Sequence, residues 1–498
     1  MSSKLRAKPL PSQAPLFWLA LALVVGYCLP AGWALGLSGG GLLTLLALRK
    51  RWALPAFAWV SPVAMGVGVG LQVRQQPPVV PPVAAHVTVW GTLAQDARPT
   101  PYGYYSLLTL DSLQADGHSA VPSSARGVLY HAALPGEGLL LQGSRLRVVG
   151  TLRDLGAIRN VPYRTSLARQ GFSFTLRADS LVALAPPAGV LGLRTRAATR
   201  LADLGLAAPS SALLRALVLG DRGGLAPEDR AAFLTSGTAH LLAVSGLHIA
   251  VVVYVLSWGL GLGRWRGRGW YLRAVAGLGL LVLCIPLTGG SPSVVRATLV
   301  VVLAWGALLL ERKPVALNLL GASFLAQVVV NPWVLESLSF QLSYAAVTAI
   351  LLGMPVVATA LEGRPGWLRY PAELLALGCW AQLGTLPLQL LAFGAFSTYG
   401  LAVNLVAVPL SSLVLLLGVG CLALGGVPLI GPALVYLAGQ SSALLLGLNR
   451  AVAEWPGAYR TGLAVAPWQA GLGAAALVGL GLWLYYRRGR GPEVLQIA

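Results

Sequence analysis

Residues 401–424 read LAVNLVAVPLSSLVLLLGVGCLAL, a run of 24 residues without one charged side chain. About 20 consecutive apolar residues are enough to cross the hydrocarbon core of a bilayer as an α-helix, so this run predicts a membrane-spanning helix. The whole chain of 498 residues is 56% hydrophobic and 10% charged, whereas soluble domains have about 25% charged residues. This composition excludes a soluble enzyme, a disordered chain and a secreted disulfide scaffold, and it predicts a multi-span membrane protein.

Similar apolar runs recur along the chain and predict an α-helical polytopic membrane protein with about twelve spans. The first three lie near residues 15–31, 32–48 and 53–72. The other nine lie near 238–262, 269–289, 293–311, 314–330, 337–360, 371–395, 401–424, 430–449 and 466–486. The run 314–330 is the weakest because it is short and contains Asn318. Without it, every later span would reverse its orientation.

Basic residues around the first runs predict the orientation in the membrane. Lys4, Arg6 and Lys8 precede the first run, and residues 49–51 are all basic. Because Lys and Arg concentrate in cytoplasmic loops, we expect a multi-pass protein of the cytoplasmic (inner) membrane with both termini in the cytoplasm. Much of the net charge of +20 then reflects this bias, including the basic tail at 487–498.

Residues 73–187, between the third and fourth predicted spans, have a different pattern. Short alternating runs occur at 86–93, 106–113, 126–131, 145–152 and 173–184, separated by polar, Gly and Pro-containing turns. Five short strands without intervening helices predict a small β-barrel or sandwich, and an OB-like barrel matches the size best. The orientation of the third span places this domain outside the cytoplasm.

The rest of the chain is predicted to form four segments. They are three N-terminal membrane spans within 1–72, surface helices at 188–236, a transmembrane bundle at 237–486 and a basic tail at 487–498. The 188–236 segment has arginines among Leu and Ala, which is typical of amphipathic helices at a membrane surface. They include Arg194, Arg196, Arg200, Arg215 and Arg222. We expect them to lie along the outer surface.

The segment HLLAVSGLH, residues 240–248, holds two of the five histidines of the chain at the outer start of a predicted span. Ionisable groups at membrane depth are costly and usually mark a pathway or a site. A Ser-Gly pair also favours a helix break whose freed backbone groups can line a cavity. We therefore expect the following residues to line a path: His240, Ser245, Gly246 and His248. A helix cap with a small-residue packing face is the structural alternative.

A serine nucleophile at Ser245 with His248 as its base is the catalytic alternative for this segment. The nucleophile-elbow pattern fails because Ala243 and Leu247 stand where glycines are needed. No later predicted span contains a histidine that could serve as the base. We therefore expect no catalytic residue, and the chain is predicted not to be an enzyme.

Polar side chains also recur on the later spans. The predicted path-lining residues there are Arg296, Gln341, Ser343, Gln382 and Asn404. Each alone is explained by interhelical hydrogen bonding or, for Arg296, by extension of the side chain to the interface. Together they indicate a hydrophilic path through the bundle.

Several cofactor and metal motifs are absent from the sequence. There is no G-x-x-x-x-G-K-[ST] and no H-E-x-x-H. Cys28, Cys284, Cys379 and Cys421 lie apart in apolar runs, which is typical of packing residues. We expect no cofactor and no metal site.

The predicted outer domain is rich in arginine between residues 145 and 177, with seven arginines and Asp154 as the only acid. Basic groups that follow a phosphate backbone, interleaved with aromatic side chains, are typical of single-strand nucleic-acid binding. The candidate DNA-binding residues are Arg145, Arg147, Arg153, Arg159, Tyr163, Arg164, Arg169 and Arg177. Ordinary solvated arginines on a barrel rim are the alternative.

Several motifs together resemble the ComEC family of competence proteins. They include LGDR at 219–222, GTAHLLAVSGLHI at 237–249, PSVVRA at 292–297 and FQLS at 340–343. Asn331-Pro332, the stretch from Gln382 to Pro387, Asn404 with Pro409, and residues 160–171 of the outer domain also match. The resemblance extends over residues 15–486, and the 240–248 block is its most specific part.

The resemblance implies a membrane channel that passes single-stranded DNA into the cytoplasm during natural transformation. It also implies an outer DNA receptor and a cytoplasmic motor ATPase as partners, beside membrane lipid. Long family members continue into a metallo-β-lactamase-like domain, which this chain lacks, so we expect a separate nuclease. Two other functions stay open: a secondary transporter or flippase for an anionic small molecule or lipid, and an intramembrane serine hydrolase.

Overall fold

A computed structural model describes residues 86–100, 103–115, 120–123, 125–132, 141–158, 164, 167, 172–242, 270–310, 312, 314–463 and 465–487. Over these residues the protein is mostly helical, with a sheet toward its N-terminal side. The chain forms two compact units. The first, called the sheet unit, contains the described residues of 86–294 and 397–459. The second, called the helical unit, contains those of 295–396 and 460–487.

The main sheet has five long strands and two short ones. The long strands are β1 (Val87–Leu93), β3 (Gly103–Ala115), β5 (Arg126–His131), β6 (Arg145–Asp154) and β7 (Phe172–Ala185), and the short ones are β2 (Arg98–Thr100) and β4 (Val121–Pro122). The five runs predicted from the sequence overlap the five long strands. Their pairings follow the circuit β1–β3–β5–β7–β6–β1. Only the β5–β7 pair of this circuit is parallel.

Alternation of side chains explains why these segments form a sheet with one apolar face. In β6 the buried residues Leu146, Val148 and Leu152 alternate with exposed arginines. They join one apolar core with residues of β1, β3, β5 and β7. Gly127 is necessary for this packing, because a Cβ atom there would collide with the ring of Phe174. The period of two in the sequence therefore places the arginines on the outer face.

The α-helices described in the sheet unit are α1 (Gly189–Ala202), α2 (Ala208–Leu219), α3 (Pro227–Thr235), α4 (Trp270–Leu287), α9 (Gly400–Leu424) and α10 (Ile430–Ala453). The helix α2 packs against α1, α9 and α10, and most of its residues are buried. This differs from the expected position on an outer surface. Arg215 is the only charged residue of α2 and pairs with Asp221, so the helix is otherwise apolar enough to be buried.

The helical unit contains α5 (Pro292–Leu309) from Val295 onward, α6 (Ala316–Val330), α7 (Leu338–Ala360), α8 (Gly366–Phe393) and α11 (Pro467–Arg487). The helices α7, α8 and α11 pack against one another, and α6 packs against α7. Two short strands, β8 (Phe396–Ser397) and β9 (Tyr459–Arg460), form a separate two-stranded sheet.

Four of the described helices, α7 to α10, are long and apolar enough to cross a membrane. They overlap the predicted spans 337–360, 371–395, 401–424 and 430–449. The predicted spans 269–289, 293–311, 314–330 and 466–486 overlap α4, α5, α6 and α11. The first three predicted spans and most of 238–262 lie outside the described residues. The total of about twelve spans remains a prediction.

Candidate functional site

The 240–248 segment is described only at its beginning. His240 lies in a 3-10 turn, Ala239–Leu242, and its side chain is exposed. Ser245, Gly246 and His248 lie outside the described residues. The surroundings of the turn nevertheless show how the protein fixes the start of this segment.

A buried amide, Asn449 of α10, holds the residues just before His240. Its Oδ1 atom accepts hydrogen bonds from the hydroxyls of Ser236 and Thr238, at 2.6 and 2.5 Å. Its Nδ2 atom donates to the carbonyl of Leu445 at 2.7 Å. Asn449, Ser236 and Thr238 are fully buried. These three residues were not predicted from the sequence, although an asparagine within an apolar run is a usable signal.

Two further contacts fix the same turn. Gly237 has φ +82°, and a Cβ atom there would lie 2.7 Å from the Cα atom of Gly400 at the start of α9. This close approach requires glycine at position 237. Arg222, from the LGDR motif, donates from Nε to the carbonyl of Leu242 at 2.8 Å. The structure thus connects LGDR with the 240–248 segment, which the sequence alone did not predict.

In the helical unit, Arg296 of α5 is buried and lies over the ring of Tyr344 of α7, with 5.8 Å between its Cζ atom and the ring centroid. Gln341 donates to the carbonyl of Leu335 at 2.8 Å, and Gln382 is half-buried in α8. Among the residues that the structure describes, no hydrogen bond joins Arg296, Gln341 or Gln382 to one another.

The other two predicted path-lining residues lie in different units. Ser343, half-buried in α7, belongs to the helical unit, and Asn404 of α9 belongs to the sheet unit. The Oδ1 atom of Asn404 is buried without a hydrogen-bond partner, so this amide has unused acceptor capacity. The described path-lining residues are thus divided between the units. His240 and Asn404 belong to the sheet unit, and the helical unit contains the other four: Arg296, Gln341, Ser343 and Gln382.

The arginines of the sheet form an exposed basic face. Arg145, Arg147 and Arg153 of β6 and Arg177 of β7 are exposed. Arg147 lies over Trp90, with 5.7 Å from its Cζ atom to the ring centroid. This pair offers a cation and an aromatic face together, as single-strand binding surfaces do.

The candidate DNA-binding residues differ in their surroundings. Arg145 pairs with Asp111 at 3.3 Å, so part of its charge is neutralised. Arg164 is half-buried. Arg159, Tyr163 and Arg169 lie outside the described residues. Arg126 was not among the predicted residues, and its Cζ atom lies 4.5 Å from the ring centroid of Phe172.

Arg194 does not lie on a surface, contrary to the expectation for residues 188–236. It is 1% exposed and forms two hydrogen bonds with the carboxylate of Asp96, at 2.6 and 2.5 Å. Its Nη2 atom also donates to the carbonyl of Leu219 at 2.9 Å. The backbone N–H of Gln142 completes the network by donating to Asp96. A carboxylate and a carbonyl thus compensate for the burial of the guanidinium, and the sheet is joined to α1 and to the end of α2.

Within the described part of the chain, no three His, Cys, Asp or Glu side chains lie close enough together to hold a metal ion. The described cysteines, Cys284, Cys379 and Cys421, are free thiols.

Four candidate membrane-spanning helices mark the molecule as a membrane protein that also has a β-sheet with an exposed basic face. The family model of the competence proteins matches residues 217–490, which is more than half of the chain. The chain therefore belongs to the competence protein family, and the resemblance drawn from its motifs is confirmed.

Two curated proteins are similar in sequence to part of this chain. The chain is 29% identical over 215 residues to ComE operon protein 3 of Bacillus subtilis. The aligned segment covers 42% of this chain and 26% of that protein. It is also 29% identical over 261 residues to the uncharacterised protein YcaI of Escherichia coli, covering 50% of this chain and 34% of that protein. The chain thus matches about a quarter to a third of the length of these relatives. No solved structure matches it.

Proposed function

We propose that this protein takes part in DNA uptake during natural transformation and passes a single DNA strand through the cytoplasmic membrane. The observation that carries the proposal is the competence family match over residues 217–490, a segment that includes all four candidate membrane-spanning helices. The protein acts as a channel component rather than as an enzyme.

The sheet is proposed to be an OB-like barrel outside the cytoplasm that holds the incoming strand. Its circuit of five strands with one parallel pair supports this assignment. The exposed arginines on β6 and β7 supply phosphate contacts, and Trp90 beside Arg147 supplies a stacking surface. Such binding is weak and nearly independent of sequence.

The path through the membrane is proposed to be lined by His240, Ser245, Gly246, His248, Arg296, Gln341, Ser343, Gln382 and Asn404. Several weak polar contacts suit transport better than one strong site, because conduction requires release as well as binding. An outer DNA receptor, a cytoplasmic motor ATPase and a separate nuclease are the proposed partners. Both termini are proposed to lie in the cytoplasm.

The test is transformation of a deletion strain with labelled DNA. We expect labelled DNA to stay outside the cytoplasmic membrane and to remain sensitive to added nuclease, while the intact gene restores cytoplasmic uptake. His248→Ala should reduce uptake with normal amounts of protein in the membrane. Normal uptake by the deletion strain would refute the proposal.

Loss of uptake in Ser245→Ala but not in Ser245→Cys, together with labelling by a serine-directed probe, would instead support a hydrolase.

A further inference from the structure

Arg296 is a buried cation without an anionic partner. Its side chain is 8% exposed, and none of the acidic side chains that the structure describes forms an ion pair with it. Its Nε atom is buried and has no hydrogen-bond partner. Arginine keeps its charge in proteins, and a buried charge is costly unless an opposite charge compensates for it. The N–H groups of Arg296 are therefore available to an anion.

The ring of Tyr344 fixes the position of this guanidinium through its face rather than its hydroxyl. Gln327 donates to the Tyr344 hydroxyl oxygen at 2.7 Å. Ser323 donates its own proton to the carbonyl of Leu320, so the Tyr344 hydroxyl donates to Ser323, at 3.0 Å. The hydroxyl is thus engaged on both sides, and Arg296 interacts with the π-face at cation–π distance.

Two phenylalanines hold the ring in place. The ring centroids of Phe324 and Phe340 lie 5.2 and 4.5 Å from that of Tyr344, in edge-on and tilted arrangements. These residues belong to one buried cluster formed by α6, α7 and the 3-10 turn Pro332–Glu336 between them. Arg296 therefore rests on a packed aromatic support that leaves its hydrogen-bond donors unused.

We propose that Arg296 binds a phosphate group within the helical unit, and that Tyr344, Ser323 and Gln327 are the positioning residues of this site. A guanidinium presents paired N–H donors that match two phosphate oxygens. Where the phosphate belongs to a DNA backbone, the inference rests on the proposed function. A phospholipid headgroup presents the same group, and the experiment separates the two sources.

The test uses the full chain, purified in a detergent without phosphate. The thermal unfolding midpoint is followed against inorganic phosphate, with chloride at equal ionic strength as the reference. We expect phosphate to raise the midpoint, and Arg296→Gln to increase the half-saturating phosphate concentration by roughly tenfold or more. The control Arg364→Gln removes an exposed arginine of the same unit and should leave the titration unchanged.

Tyr344→Phe tests the positioning role, because it keeps the ring and removes the hydroxyl. We expect an intermediate loss of phosphate affinity, with the fold retained, and a similar loss for Gln327→Leu. An unchanged titration in Arg296→Gln would overturn the inference. If that variant does not fold, an unchanged titration in Arg296→Lys, which keeps the positive charge and loses the paired N–H donors, would overturn it instead.

Two further arms identify the source of the phosphate. A short oligothymidylate replaces phosphate in one, and nanodiscs of phosphatidylglycerol or of a phosphate-free glycolipid replace detergent in the other. Arg296-dependent stabilisation by the oligonucleotide supports DNA, and stabilisation by phosphatidylglycerol alone supports a headgroup in the same site. Normal transformation of the deletion strain would refute the proposed function and leave the phosphate titration standing.

Discussion

The side-chain amide of Asn449 forms hydrogen bonds with three buried polar groups. Its single carbonyl oxygen accepts from two hydroxyls on the turn before His240. Buried hydroxyls without a partner cost free energy, so the amide stabilises both the helix α10 and the turn. The position of the 240–248 segment therefore depends on a residue about 200 positions later in the chain.

Replacing this amide should be strongly destabilising. We expect Asn449→Leu to lower the free energy of unfolding by roughly 2–4 kcal/mol, because Ser236 and Thr238 lose their shared acceptor. Chemical unfolding in detergent measures the change. Gln440→Leu is the control, since Gln440 is an exposed amide on the same helix. Equal losses in the two variants would show that the hydrogen bonds contribute little.

The exposed arginines of β6 should act through phosphate contacts. For the full chain bound to labelled oligothymidylate, we expect Arg147→Gln and Arg153→Gln each to reduce the slope of log affinity against log salt by about 0.7. Arg145→Gln should have a smaller effect because Asp111 already pairs with Arg145. Arg200→Gln, an exposed arginine of α1, is the control. A slope unaffected by any of these changes would locate binding elsewhere.

At the scale of elements, the buried pair Arg194–Asp96 joins α1 to the loop between β1 and β2. Removing one member of a buried pair leaves the other charge uncompensated, at a cost of roughly 3–5 kcal/mol. We expect Arg194→Gln and Asp96→Asn each to destabilise by about this much, and the double variant by much less than their sum.

Thermal unfolding of the four proteins in the double-mutant cycle measures this coupling. Arg196→Gln changes an exposed arginine two positions along α1 and should be nearly neutral. Additive losses in the cycle would mean that the two side chains act independently.

The elements differ in how far the sequence predicts them. The β-strands follow from alternation within six to fourteen residues, and their positions agree with the predictions. The burial of Arg194 does not follow from local sequence, because its partner Asp96 lies 98 positions away. The same holds for the support of Arg296, since Tyr344 stands in an apolar helix where nothing local distinguishes it. The burial of Arg194 and the aromatic support of Arg296 thus depend on contacts between residues that are far apart in the sequence.

At the scale of the whole molecule, the orientation in the membrane can be tested directly. In a variant without native cysteines, Ser180→Cys on the exposed part of β7 should react with an impermeant thiol reagent on intact spheroplasts. Arg364 lies between the predicted spans 337–360 and 371–395, and counting the twelve predicted spans from a cytoplasmic N-terminus places this loop in the cytoplasm. Arg364→Cys should therefore react only after lysis. The reverse pattern would invert the predicted topology.

The interleaving of the two units along the chain has a consequence for biosynthesis. The buried helix α2 packs against α9 and α10, yet about 180 residues separate its end from the start of α9. At a synthesis rate of about 5–20 residues per second, α2 waits roughly 10–40 s for these partners. During that interval the ribosome delivers residues 295–396 of the helical unit. The helix α11 follows the last residue of the sheet unit in the chain, so the helical unit is the last of the two to be completed.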